Sequence, residues 1–127
     1  MAEIVSIRAG AFAVHMFLSQ IHNLTPGEWR KLMALLKERD SGSLRTVQAL
    51  DRWFPLAVKT ARAEAEAAQA DAADGIRPLN KVPHSMRWQQ LKRNDMLRER
   101  VKKAKFKTNR LARFYDIFKD EFGDKLQ

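Results

Sequence analysis

The stretch MRWQQLKRNDMLRERVKKAKFKTNRLARFYDIFKDEFG, residues 86–123, decides how this chain is read. Leu97, Val101, Ala104, Thr108, Leu111, Tyr115, Phe118 and Phe122 recur at alternating spacings of four and three, an a/d-type apolar seam. That period predicts one long helix from about Met86 to Phe122, ended by Gly123, with a break near Asn94-Asp95. Ala104 and Thr108 make the middle of the seam thin. Phe114 and Ile117 widen its aromatic end. Packing against the rest of the chain is the expected use of this seam, and a homodimer paired along Leu97–Phe122 is the alternative.

Around the seam the helix is basic. Residues 87–113 hold eleven Lys and Arg against Asp95 and Glu99, a net of +9. Residues 1–76 balance nine basic against nine acidic side chains, so the whole +9 of the chain arises from its C-terminal part. Like charges three and four apart, such as Arg98/Lys102 and Lys103/Lys107, repel by a few tenths of a kcal/mol per pair. A polyanion would neutralise them and release its own counterions. Arg93, Arg98, Arg100, Lys102, Lys103, Lys105, Lys107, Arg110 and Arg113 are therefore the expected nucleic-acid contacts. The Arg residues suit bidentate phosphate binding and the Lys residues act as point charges. Asn94 and Asn109 are weak candidates for base contacts.

Working toward the N-terminus, Ile76–His84 contains Pro78 and Pro83 and reads as an extended linker. The expected division is thus a helical region over 1–75, a Pro-containing linker over 76–85, and the basic helix over 86–127, packed together as one domain. Thr25-Pro26-Gly27-Glu28 is a capping box with Pro at the first helical position, and it opens a helix whose apolar face is Trp29, Leu32, Met33, Leu35 and Leu36. Asp40-Ser41-Gly42-Ser43 reads as a turn. A helix from Leu44 then carries Val47, Leu50 and Phe54 inward until Pro55 kinks or interrupts it. The Ala-rich run from Val58 to Asp74 follows, with Gly75 as a left-handed cap. Ile4, Ile7, Ala11, Val14, Phe17, Leu18 and Ile21 predict a further helix over Glu3–His22. The fold class expected is all-α: an N-terminal bundle of three to four helices plus one long basic amphipathic helix.

The chain lacks cysteine, which removes disulfides, thiolate metal sites and cysteine nucleophiles and fits a cytoplasmic setting. No apolar run reaches the roughly 18–20 residues of a membrane span. Ala9–Leu18 is apolar, but Glu3 precedes it, His15 interrupts it and no small-residue cleavage site follows, so a cleaved signal is not expected. His15 and His22 have no acidic partner that would complete a metal set, and no phosphate loop or nucleophile motif is present. No cofactor or metal is expected, and the chain reads as non-enzymatic. Trp29, Trp53 and Trp88 read as core anchors, with an interface as the alternative for Trp88.

Two functional classes remain. The favoured one is a nucleic-acid-associated helical protein, a regulator or small subunit of a nucleoprotein assembly, holding DNA or RNA by its phosphates. The other is a protein-docking module, such as a small phage- or plasmid-type inhibitor, covering an acidic or nucleic-acid-binding surface of a partner. Arg45, Gln48 and Arg52 share one face of the helix after the Gly-containing turn and form a second candidate contact face.

Overall fold

The computed structural model describes residues 4–9, 12–38 and 42–125. Two antiparallel strands, β1 (Ile4–Ala9) and β2 (Phe12–Phe17), are followed by a 3-10 segment (Leu18–Asn23) and three helices, α1 (Pro26–Lys37), α2 (Gly42–Gly75) and α3 (Arg87–Phe122). The described residues are thus predominantly helical. Packing divides the chain into two compact units, Met1–Ala57 with Arg110–Gln127, and Val58–Asn109.

The hairpin corrects the helix expected over Glu3–His22. Its register pairs Val5 with Met16, Ile7 with Val14 and Ala9 with Phe12. Beside the residues that recur every three to four positions, Val5, Ile7 and Ala9 and then Phe12, Val14 and Met16 alternate every two, and Ile4, Val5, Ile7 and Val14 are β-branched. Gly10-Ala11 falls between the strands, and Gly at the first position of a two-residue connection favours a hairpin. Residues 10 and 11, the start of the expected helix at Glu3, and Asp40-Ser41 of the expected turn lie outside the described residues.

In the first unit, α1 begins as its sequence requires. The Glu28 backbone N–H donates to Thr25 Oγ1 at 3.1 Å, and the Thr25 N–H donates back to Glu28 Oε1 at 3.0 Å. The core gathers Trp29, Met33, Leu36, Val47, Leu50, Phe54, Leu111, Phe114, Phe118 and Phe122, all at 0–2 % exposure. Burying each large apolar side chain contributes roughly 1.5–3 kcal/mol. The Trp29 ring stacks on Phe114 with centroids 5.0 Å apart and meets Phe54 edge-on at 5.8 Å. Phe54 in turn stacks on Tyr115 at 5.3 Å. Arg110 donates to the Leu24 carbonyl oxygen at 2.6 Å, tying α3 to the residue before the α1 cap.

Pro55 neither ends nor splits α2, which runs 34 residues through it. Its ring is exposed, so the carbonyl it leaves without a helical donor need not be buried, while Phe54 beside it is fully covered. Two expected helices are therefore one.

The second unit is an αα-hairpin. Along α2, Val58, Ala61, Ala65, Ala68, Ala72 and Gly75 recur at three and four, and Val58, Ala61 and Ala68 are buried. Small residues on this seam let side chains of α3 come close to the α2 backbone. A Cβ placed on Gly75 would stand 2.6 Å from Leu97 Cδ1. Gly75 is the last residue of α2 rather than a left-handed cap, and close approach explains it.

The Pro-containing connection is a folded turn within this unit, where an extended linker was expected. It holds two 3-10 segments, Leu79–Lys81 and His84–Met86. Asn94, on α3, reaches back to it. Its Oδ1 accepts from the Arg77 N–H at 3.1 Å and its Nδ2 donates to the Arg77 carbonyl oxygen at 2.9 Å. Gln90 Nε2 bridges Asn94 Oδ1 and the Gly75 carbonyl oxygen at 2.7 and 2.9 Å. Asn94 is only 3 % exposed, so it closes the turn and is no base-reading residue. The helix is continuous through Asn94-Asp95, because this amide has its partners without breaking the ladder.

Candidate nucleic-acid interface

The unit Val58–Asn109 carries thirteen Lys and Arg against six Asp and Glu, a net of +7 of the chain's +9. Its helix α3 turns Leu97, Val101, Ala104 and Thr108 inward, half-buried, and leaves most of its cations in solvent. The seam thereby sets which charges are displayed.

The expected contact residues fall into distinct situations. Lys102, Lys103 and Lys105 are exposed and have no acidic partner among the described residues. Arg98 is exposed with Asp95 3.8 Å away on the preceding turn. Arg100 bonds Asp71, and Lys107 lies 3.9 Å from Glu64, so α2 acids neutralise two of the cations. Both pairs are half-exposed, where the Coulombic gain is largely screened by water. Arg93 is exposed near the N-terminal end of α3.

Two expected contacts belong to the first unit. Arg110 is half-buried, bonded to Leu24 and lying over the Phe114 ring with 6.0 Å to its centroid. Its guanidinium serves the fold. Arg113 is exposed. Arg45, Gln48 and Arg52 are exposed on α2 in that same unit, at the spacing that puts them on one helical face.

Several features were missed from sequence. Trp88 is 65 % exposed and Phe106 50 %, with Met96 at 73 %, so Trp88 is not a core anchor. Lys92 Nζ sits 4.9 Å from the Trp88 ring centroid. The signal was available: both aromatics stand off the four-three phase that Leu97 to Phe122 defines. Trp53 is half-buried and meets Phe54 edge-on at 5.0 Å, which leaves Trp29 as the fully covered tryptophan. Arg77 and Lys81, on the turn, also bring charge close to Arg93 around a pocket. Nothing in their spacing announces it.

The seam expected to serve either the core or a dimer is turned inward. Leu111, Phe118 and Phe122 are covered within the first unit. No helix among the described residues is long and apolar enough to cross a membrane. The chain matches no known family model, no curated protein and no solved structure.

Proposed function

We propose that the chain is a non-enzymatic nucleic-acid-binding protein whose α3 contacts phosphates through Lys102, Lys103 and Lys105, assisted by Lys92, Arg93 and Arg98. The observation that carries this reading is the display of three unpaired lysines within four residues on a unit of net charge +7. Cations so placed repel one another, and a phosphate backbone relieves that repulsion while releasing condensed counterions. Contacts of this kind position a polymer and carry no sequence information. DNA and RNA are equally served by them, in a cytoplasmic setting. Arg45, Gln48 and Arg52 form a second contact face under the same reading.

Anisotropy titrations with duplex DNA, a single strand and structured RNA over a series of salt concentrations test it. Affinity falls steeply with salt. A Lys102→Glu/Lys103→Glu/Lys105→Glu variant loses most of the binding, and neutral replacements flatten the duplex salt slope by roughly 2–3. Lack of binding to all three polymers at low salt refutes the proposal.

A second reading, docking onto an acidic surface of a partner protein, draws on the exposed Trp88, Met96 and Phe106 near the same cations. A pull-down from nuclease-treated lysate separates the two, since a nucleic-acid tether does not survive the nuclease. Burial of Leu111, Phe118 and Phe122 within the first unit favours a monomer over a homodimer paired along Leu97–Phe122, and light scattering reads the mass.

A further inference from the structure

At the end of the second unit where α2 passes into α3, the turn borders a half-open pocket of about 500 Å3. That volume lies within the roughly 300–1,000 Å3 typical of small-ligand sites. Arg77, Lys81 and Arg93 line it together with the apolar side chains of Val82, Pro83 and Met86. No acidic residue lines it, and none of the three cations has an acidic partner among the described residues. Three basic side chains therefore border one pocket, with no acidic partner among the described residues.

The framework of the pocket is held in place. The Arg77 backbone is clamped on both sides by the buried Asn94. The turn closes on itself through Lys81 N–H to the Pro78 carbonyl oxygen at 3.1 Å and Val82 N–H to the Leu79 carbonyl oxygen at 3.2 Å. Arg87 Nε donates to the Val82 carbonyl oxygen at 3.2 Å, fixing the wall to the start of α3. The cations thus project from a backbone that does not have to be ordered when a ligand arrives.

We infer that this pocket receives the phosphorylated end of a single strand, with the terminal phosphate on Arg77, Lys81 and Arg93 and its nucleoside against Val82, Pro83 and Met86. A terminal phosphate monoester carries roughly −1.5 to −2 at neutral pH, whereas each internal diester carries a single charge, so a three-cation cluster discriminates in favour of an end. The apolar wall gives a base a surface to leave water against, which inorganic phosphate cannot exploit. The inference rests on the nucleic-acid reading above and adds Arg77 and Lys81 of the turn to that surface, beside Arg93, for the strand end.

The test compares one labelled oligonucleotide with and without a 5′ or 3′ phosphate, on the full chain and on an Arg77→Gln/Lys81→Gln variant, which leaves Arg93 in place. Neither side chain bonds another group among the described residues, so the variant keeps its helix content by circular dichroism. The native chain prefers a phosphorylated end by about tenfold, the equivalent of one charge-assisted hydrogen bond. The variant loses that preference while retaining its binding to the unphosphorylated strand through Lys102, Lys103 and Lys105. Equal affinity for both strands, or a preference that survives in the variant, overturns the inference and leaves the proposed function standing. Absence of binding to either strand removes the polymer reading instead. A nucleoside monophosphate followed by amide chemical shifts then still reads the pocket, and unmoved resonances over residues 77–93 overturn the inference. Inorganic phosphate that moves them as strongly at equal concentration rejects the nucleoside wall.

Discussion

The indole N–H of Trp29 donates to the carbonyl oxygen of Phe114 at 3.1 Å while the two rings lie parallel, 5° apart in plane. One side chain of α1 thus fixes α3 both by stacking and by a directed bond, and does so at 0 % exposure. Trp29→Phe keeps a ring but removes the donor and part of the volume. The expected cost is about 1–3 kcal/mol in urea unfolding, larger than a surface substitution gives. An unchanged midpoint would show that the bond contributes nothing net.

Gly75→Ala tests the close approach of the second unit. Alanine is the better helix former by about 1 kcal/mol, so propensity alone predicts stabilisation. The added methyl would meet Leu97 Cδ1, the end of a half-buried side chain that has to turn aside, and the expected result is that about 1 kcal/mol of rotamer strain cancels the propensity gain. Shortening the obstacle with Leu97→Ala makes the two changes less than additive, and thermal melts of the four-member cycle measure the coupling.

Asn94→Ala leaves the Arg77 N–H and carbonyl without their side-chain partner. The expected cost is about 1–3 kcal/mol. Amide exchange at Arg77 accelerates by more than it does in the middle of α3, which separates loss of the clamp from general destabilisation.

The Glu28 carboxyl is held below its ordinary pKa, first by the Thr25 backbone N–H, then by the Thr25 side chain. A depressed acid stabilises the fold above its unfolded pKa, and the contribution is lost as pH falls through the lower folded value. The stability difference between the native chain and Glu28→Gln therefore narrows between pH ~6 and ~3. Thr25→Ala removes the cap itself, costing about 1 kcal/mol. Urea midpoints across this range read both.

Asp71→Asn and Glu64→Gln release Arg100 and Lys107 from their partners. Half-exposed pairs contribute about 0–1 kcal/mol, so stability changes little. Affinity for a polyanion rises, because two more cations become available and net charge increases by two. Salt-dependent anisotropy that shows no gain would place the binding surface elsewhere.

The parts legible in the sequence were those where one signal had no rival. The Thr25–Glu28 box specifies its geometry within four residues, and the seam ending in Phe118 and Phe122 fits no period but a helical one. Residues 4–17 satisfy a helical and a strand period at once, and the sequence alone does not decide between them; pairing of Ile7 with Val14 does. Pro55 carries a local penalty of about 3 kcal/mol, yet Val47, Leu50 and Phe54 before it and Val58 and Ala61 after it are all buried as helix. Tertiary burial outweighed the local rule. Charge on α3 was countable from residues 87–113, but its distribution was not: Asp71 and Arg100 are 29 positions apart and meet only once the register of the hairpin is set. The grouping of Arg77, Lys81 and Arg93 likewise depends on how the turn closes.

The alanine seam of the second unit has an effect on how that unit responds to its solution. Ala61 and Ala68 are buried but remove little hydrocarbon from water, so the hairpin has a thin reserve of hydrophobic stabilisation. Against that reserve stands the mutual repulsion of its cations. Added salt screens the repulsion and firms the hairpin, while the same salt competes with phosphates for the lysines. Ionic strength therefore moves folding and binding in opposite directions, and conditions that loosen the hairpin are those in which a polyanion would grip it best.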